Sequence, residues 1–525
     1  MNARLLEKLA ADPAFWYSRV YATPCYPWQV EMATAMEAFV DDARNGRLER
    51  SEEIVGIAAR QSGKNETLAR FIARILMKNR RRGGSGVLTG PSWTPTLGIS
   101  KDRLKTVTQR PIFAGDRPSN HAFQWEDGRH LRCGQAKVTL VSAEPTANKD
   151  GHTASLFLAV DESQDVCGAA YPRNVRPMLI TSGAPTFLFG SAWSNDTLLE
   201  QKRQQARERQ KKIGRKLLWE VPWWVVSETN AAYGKHVEGE KALIGEDHPI
   251  FASQYCLRAI DSGGRLFDER TLTKMRGDHQ RYFEPREGRY YVAGVDLCGS
   301  AEQDLQFAMA EHGADVNLKR DSTVVTVAEM VYEWLPAAGR RVPVLRIVDH
   351  LSMQGTHPLA AADEIYDYLF RRWQVLYAVV DASGVGDAVA AILHARRPNQ
   401  VTALKSTVSI VSDLGYNLIA AALNRRLLMY RNDDSADYHE FWMQAKECRR
   451  ELRAHSNQMR FSAPPTKVVA RTGMRVDCHD DFIKSASYCV EAAARHLSMH
   501  VDPDVARGRN VEPYWHGGTS IQEDY

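Results

Sequence analysis

Lys64 closes the run Arg60-Gln61-Ser62-Gly63-Lys64, and the residues on its two sides differ sharply in character. Before it, Ile54-Val55-Gly56-Ile57-Ala58 is the short apolar run of a buried strand. After it, Leu68, Phe71, Ile72, Ile75 and Leu76 recur at helical spacing, and Arg80-Arg81-Arg82 with Gly83-Gly84 mark a basic, glycine-terminated helix end. Strand, tight turn with Gly-Lys, and helix make a phosphate-binding loop. Backbone N–H groups and the helix N-terminus cradle an oligophosphate, and the Lys64 ammonium reaches its terminal phosphates. Arg60, Gln61, Ser62, Gly63, Lys64 and Asn65 are therefore the expected contacts of a nucleotide, ATP with Mg²⁺. The loop departs twice from G-x-x-x-x-G-K-[ST]. Ala58 stands at the first Gly, and Asn65 stands where a Ser or Thr would hold Mg²⁺. Asn offers an oxygen but no hydroxyl, so its contact to the metal is direct or through water.

A pair of acids supplies the second half of such a site. Ser155-Leu156-Phe157-Leu158-Ala159-Val160 reads as an apolar strand running straight into Asp161-Glu162. There Asp161 positions Mg²⁺ and Glu162 polarises the attacking water. Thr186-Phe187-Leu188-Phe189 is a further strand, ending in Gly190-Ser191-Ala192, the turn that couples hydrolysis to movement in ATP-driven nucleic-acid motors. Upstream, Tyr26-Pro27-Trp28-Gln29 has two readings. Pro27 suits a helix start, and Gln29 can bond adenine N6 and N7 together while a ring stacks on the base.

The second half carries a different set of acids. Tyr290-Tyr291-Val292-Ala293-Gly294-Val295-Asp296 is a strand with an acid at its end, followed by strands at 322–331 and 342–348. A helix near 359–373 precedes Leu376-Tyr377-Ala378-Val379-Val380, which ends at Asp381. Much later, Cys478-His479-Asp480-Asp481 opens a helix whose inner side holds Phe482, Ala486, Cys489, Val490 and Ala493. Three strands, helix, strand and a late helix, with acids on the first and fourth strands, is the order of a ribonuclease-H-like nuclease. In-line cleavage of a phosphodiester uses two divalent ions about 3.5–4 Å apart, one on the nucleophile and one on the leaving oxygen. Asp296, Asp381, Asp480 and Asp481 are the expected ligands, and their hard oxygens suit two Mg²⁺ or Mn²⁺. With Phe482 taken as the core direction, Asp480 falls on the outer side with Lys484 and fits an N-cap, whereas Asp481 aims at the strand ends. His479 reads equally as a cap neighbour or a catalytic helper.

These sites need elements to hold them. At 525 residues the chain exceeds one ordinary domain. With 44% apolar and 25% charged residues it has a globular composition, and a net charge of +4 confines any nucleic-acid surface to a local patch. No run of about 18 apolar residues appears, so no membrane span is expected. The eight Cys are scattered without a C-x-x-C pair, which suits reduced thiols inside a cell. The expected fold is α/β: a P-loop (RecA/ASCE-like) ATPase domain over 1–265, a linker over 266–288, a ribonuclease-H-like nuclease domain over 289–500 and a polar tail over 501–525. Within the first domain about 200–265 reads as a small lid subdomain, and its charged helix, QKRQQARERQKKIGRK, is either a solvated face or a DNA-contacting lid.

The two halves together resemble the large subunit of a tailed-bacteriophage terminase, the DNA-packaging motor. The resemblance rests on YPWQ at 26–29, ARQSGKNE at 59–66, LFLAVDESQ at 156–164, FGSA at 189–192, GVD at 294–296, VVDASG at 379–384 and HDDF at 479–482. It implies an ATPase that drives double-stranded DNA into a procapsid and a nuclease that cuts the concatemer. It also implies a ring on the portal protein, a small terminase subunit as partner, and the host cell cytoplasm as location. An insert over 299–320 departs from the pattern, and Lys149 is the nearest match to a trans-acting finger. A helicase-nuclease of DNA repair needs a second RecA-like domain, for which the stretch between Ala192 and Arg289 is too short. An ATP-gated DNA-binding scaffold with an inactive nuclease is the other alternative, against which Lys64, Glu162 and the aspartates argue.

Overall fold

The computed structural model describes residues 11–21, 23–48, 51–114, 121–144, 152–261, 263–297, 322–353, 358–384, 386–453, 458–464, 466–469 and 475–499. Lys149, the insert over 299–320 and the tail over 501–525 lie outside the described residues. The chain divides into two units, one mainly Met1–Val237 with Pro249–Asp261, the other mainly Ser262–Arg453 and the segments that follow.

The first unit is built on strands β1 (Glu53–Ala58), β2 (Gly84–Gly90), β3 (Gln124–Glu126), β4 (His130–Cys133), β5 (Ala136–Ser142), β6 (Phe157–Val160), β7 (Thr186–Gly190) and β8 (Leu218–Val221). They form one sheet in the order β3-β4-β5-β2-β6-β7-β1-β8. From β5 to β8 neighbours run parallel, and β3 and β4 add an antiparallel edge. A parallel strand covered on both faces needs a continuous apolar sequence, and all four residues of β6 are buried. The helix Lys64–Lys78 lies against this sheet through Phe71, whose ring centroid sits 5.4 Å from that of Phe157 and 5.1 Å from that of Phe187. Because β7 stands between β1 and β6, the loop after β1 and the acids after β6 open on the same sheet edge, as in the ASCE arrangement.

Two sequence expectations change here. The segment 200–265 is not a separate lid, since β8 pairs with β1 inside the main sheet. The charged helix Leu198–Ile213 spends its cations on the unit's own acids. Lys202 meets Glu53 at 2.7 Å, Arg209 meets Glu52 at 2.6 Å, and Arg203 grips Glu220. These three side chains are thereby withdrawn from a DNA-contacting role.

In the second unit, β10 (Tyr290–Asp296), β11 (Thr323–Leu335), β12 (Arg340–Met353), β13 (Tyr377–Asp381), β14 (Val401–Leu404) and β15 (Leu427–Leu428) form a sheet in the order β14-β13-β10-β11-β12-β15. The hairpin β10-β11-β12 is antiparallel, and β13 and β14 join β10 in parallel, which is the ribonuclease-H-like order. A smaller sheet holds β9 (Gly263–Arg265), β16 (Arg449–Leu452) and β17 (Met459–Ser462). The stretch expected as a linker is partly ordered: it contains the helix Glu269–Lys274, with Thr271 and Leu272 buried. Among the described residues no helix is long and apolar enough to cross a membrane.

Candidate active sites

After β1 the chain turns through Gln61 (φ +57°) and Gly63 (φ +94°) before the helix Lys64–Lys78 begins. Arg60 and Gln61 are exposed, Ser62 is buried and Asn65 is half-buried in the first turn. The Arg60 guanidinium donates to Gln254 Oε1 at 3.0 Å, and its carbonyl accepts the Tyr233 hydroxyl at 2.9 Å. Gln29 is only 3% exposed. Its Nε2 donates to the Gly63 carbonyl at 2.9 Å, and its Oε1 accepts the Tyr26 N–H at 2.7 Å. Both ends of the amide expected to read adenine are thus engaged within the protein, where Gln29 is a strut between the helix Pro27–Arg44 and the turn at Gly63.

Lys64 and Glu162 meet across the ends of β1 and β6, with Nζ 2.9 Å from Oε1. Burial pulls the Lys64 ammonium down, but Glu162, Asp161 and Asp165 outweigh it and leave Lys64 above its ordinary value. Burial would push the Glu162 carboxyl up, and Lys64, with the Gln164 hydrogen bond and Arg60, more than reverses that, holding it below the usual carboxylate range. Asp161 is fully buried; its Oδ2 accepts the Ser100 hydroxyl at 2.6 Å and its Oδ1 the Glu162 N–H at 3.0 Å. Glu162 itself sits at φ +45°, ψ 48°, a left-handed conformation that costs a non-glycine residue about 1–3 kcal/mol. Neighbouring bonds hold it there, among them Ser163 Oγ donating to the Phe189 carbonyl at 2.8 Å.

Gln164 ties this acid to the turn after β7. Its Nε2 donates to Glu162 Oε2 at 2.7 Å, and its Oε1 accepts the Ser191 N–H at 3.2 Å. Ser191 Oγ in turn reaches the Ala58 carbonyl at the end of β1, at 3.4 Å. Gly190 and Ser191 are therefore one residue removed from Glu162, and Ala192 follows them as a buried residue. Asp165 stands beside the group; burial and then the Glu162 charge push its carboxyl up to about 7.

In the second unit β10 and β13 run parallel and end at Asp296 and Asp381, and the helix Asp481–Met499 crosses them. A Cβ on Gly294 would overlap the backbone of this helix at Ser485 and Cys489 and lie 2.7 Å from the Tyr488 carbonyl carbon. Only glycine permits so close an approach. Burial drives the Asp296 carboxyl well above its ordinary range; Lys484 opposes this, and Asp481, Asp381 and Asp480 add to it. All four sequence-predicted acids thus share one electrostatic neighbourhood. Asp381 Oδ1 accepts the Ser383 N–H at 3.1 Å and the Ser406 hydroxyl at 3.2 Å. Asp480 Oδ2 accepts the Ala463 N–H at 3.0 Å, and its Oδ1 lies 2.8 Å from Lys484 Nζ. Asp481 Oδ2 accepts the Ser322 N–H at 3.0 Å. A cleft of about 310 Å³ is lined by Asp381, Asp480, Lys484, Tyr488, Ser406 and Arg460 among others.

The helix start departs from the sequence expectation. Asp480 precedes the first helical residue, but its carboxylate does not cap; the Phe482 N–H is taken by Gln444 Oε1 at 2.9 Å. Asp480 is 8% exposed and turns into the cleft, and Lys484, read as outward-facing, turns in with it. Among the described residues no three Asp, Glu, His or Cys side chains close around a single point. The donor set nonetheless fits divalent cations in its chemistry: hard oxygens from three elements, mutually repelling, with Lys484 as the balancing charge.

Sequence reasoning missed Ser100, Gln164, Asp165, Lys484, Ser406 and Tyr488. Lys484 had a signal, standing four residues after Asp480 where helical neighbours meet. Ser100 and Ser406 reach their aspartates only through the tertiary fold.

No protein-family model matches the chain. No curated protein matches it either. Among solved structures, a large terminase from a thermophilic bacteriophage, in complex with ADP, is similar over 89% of this chain and 99% of its own, at 12% identity and a TM-score of 0.45. The HK97 bacteriophage large terminase is similar over 92% of this chain and 99% of its own, at 12% identity and a TM-score of 0.37. The large terminase nuclease from thermophilic phage G20c with bound magnesium is similar over 43% of this chain and 96% of its own, at 16% identity and a TM-score of 0.28.

Proposed function

We propose that the chain is the large subunit of a tailed-bacteriophage terminase, in which ATP hydrolysis drives viral double-stranded DNA into the procapsid and a two-metal endonuclease cuts the concatemer. The observation that carries this reading is the pairing of two centres in one chain: Lys64 held 2.9 Å from Glu162 in one unit, and four aspartates gathered by a ribonuclease-H-like sheet in the other.

In the first centre the loop N–H groups and Lys64 bind the oligophosphate. Glu162, kept anionic by Lys64 and oriented by Gln164, draws the proton of the attacking water. Asp161 and Asn65 would hold Mg²⁺, which when bound neutralises charge developing on the phosphates. Movement of Glu162 is transmitted through Gln164 to Gly190-Ser191-Ala192. In the second centre Asp296, Asp381, Asp480 and Asp481 would hold two Mg²⁺ or Mn²⁺ ions, which when bound activate the nucleophile and stabilise the leaving oxygen. Lys484 restrains Asp480 and balances the acids. The portal protein, the small terminase subunit, a ring of copies and the host cell cytoplasm complete the proposal.

The test is ATP hydrolysis with and without duplex DNA, together with Mn²⁺-dependent plasmid cutting, on the full chain. Glu162→Gln should lower hydrolysis by about 10²–10⁴-fold and leave cutting in place. Hydrolysis at the parent rate in that variant would remove Glu162 from its role. Strand displacement by the parent protein would favour the helicase-nuclease instead.

A further inference from the structure

The small sheet of β9, β16 and β17 has two unlike faces. Arg449 stands directly opposite both Ser462 and Arg265, and Glu451 directly opposite both Arg460 and Gly263. Residues paired across strands project from the same face. Arg265, Arg449, Arg460 and Glu451 therefore share one face, and all four are exposed. The other face is turned inward: Met459 and Phe461 are buried and press on Gly415 of the helix Val408–Leu423, with the half-buried Arg450 opposite Phe461.

The exposed face carries three guanidinium groups against one carboxylate. Among the described residues neither Arg449 nor Arg460 has an acid partner, and Arg265 reaches its nearest acids, Glu269 and Glu447, only at 3.6 and 3.7 Å. This face is also continuous with the cleft, since Arg460 and Ser462 line it together with Asp381 and Asp480. Arg265 and Arg449 are directly opposed on neighbouring strands, and Arg460 stands one strand further and two positions along from Ser462, the partner of Arg449, so the three arginines lie on a diagonal of about 12 Å that ends at the cleft.

We propose that this face is the phosphate track that holds the backbone of duplex DNA as it enters the nuclease cleft. The inference rests on the nuclease reading of that cleft. Arg449 is the centre of the track, Arg460 delivers the backbone to the acids, and Glu451 opposes binding.

The experiment measures the affinity of the full chain for a labelled DNA duplex in EDTA over a range of salt, and the KM for plasmid cutting in Mn²⁺. Each phosphate contact contributes about 0.9 to the slope of log K against log salt. Arg265→Gln, Arg449→Gln and Arg460→Gln combined should therefore reduce the slope by about 2.7 and raise KM. Arg449→Lys should keep most of its share. Glu451→Gln should tighten binding, an effect that a merely structural sheet would not produce. Parent protein that fails to cut plasmid would overturn the nuclease reading. Parent protein that cuts, with a triple variant of unchanged slope and KM or with weaker binding by Glu451→Gln, would overturn the track alone.

Discussion

Gly190→Ala is a one-methyl change that should reach the ATPase centre from its rim. The added Cβ would overlap Gln164 Oε1 and lie 2.5 Å from Leu199 Cδ2. Gly190 closes the strand β7 in ordinary extended backbone, so the obstacle is space and not conformation. Gln164 has to move. Moving it breaks its bond to the Ser191 N–H and its 2.7 Å bond to Glu162 Oε2. A hydrogen bond to a charged group contributes about 1.5–3 kcal/mol, and about 1.4 kcal/mol of transition-state free energy is tenfold in rate. If the bond orients Glu162 throughout the reaction, kcat for ATP hydrolysis should fall about 10–150-fold while KM for ATP changes little. Gln164→Ala should show the same loss. The double variant should be no worse than the poorer single one, because both act through one contact. Steady-state hydrolysis at saturating ATP, with thermal melts to confirm folding, measures all three proteins. Parent kcat in a folded Gly190→Ala protein, or losses that multiply in the double variant, would refute the coupling through Gln164.

Asp480→Asn should reduce plasmid cutting by more than the about 10–100-fold typical of partners outside the metal shell, because Asp480 faces the cleft with Asp381. Asp481→Asn should cost less, because one Asp481 oxygen already accepts the Ser322 N–H, and the reverse order at matched folding would return Asp481 to the principal position. Arg74→Ala removes the guanidinium that meets buried Glu37 at 2.6 Å, leaves Glu37 the Tyr17 hydroxyl at 2.9 Å and Lys78 at 3.9 Å, and should cost about 3–5 kcal/mol in urea unfolding; a loss below about 1 kcal/mol would show that Lys78 or water takes over the charge. Asp165 holds its proton up to about pH 7 when folded, against about 3.9 when unfolded. Between those values the unfolded chain ionises first, so stability is lost as pH rises through that window and the penalty is complete above it. Asp165→Asn should therefore melt higher than the parent at pH 8 and equal to it at pH 4, without nucleotide or Mg²⁺; an equal difference at both pH values would count against the buried acid.

What could be read from the sequence was local. The apolar run to Ala58, the turn at Gly63-Lys64 and the strand into Asp161-Glu162 depend on neighbours in sequence, and β1, β6 and the helix Lys64–Lys78 lie where those runs placed them. The order of strands in the second unit was legible for the same reason. The destination of long side chains was not. The helix Leu198–Ile213 looked solvated because its partners Glu52 and Glu53 lie about 150 positions upstream, beyond any periodicity. Asp480 was expected by helical phase to cap its helix, and that expectation failed: Gln444 takes the Phe482 N–H, and the Asp480 carboxylate lines the cleft. β8 was hidden because Leu218–Val221 is a strand of only four residues, following a charged helix.

The contact at Gly294 sets a dimension as well as a fit. Two parts of main chain touch there, two residues before Asp296 and five after Asp480. Main chain does not vary in size, so the gap between the strand acids and the helix acids is gauged by parts that substitution elsewhere cannot thicken or thin. The hydrophobic residues around β10 and the helix Asp481–Met499 are free to exchange volume among themselves while that gap keeps its width. A side chain at 294 would act as a shim, prising the two sets of carboxylates apart by an amount that grows with its bulk. A graded series from Ala to Val at that position would therefore tune the distance between the strand carboxylates and the helix carboxylates, with every one of those acids left in place.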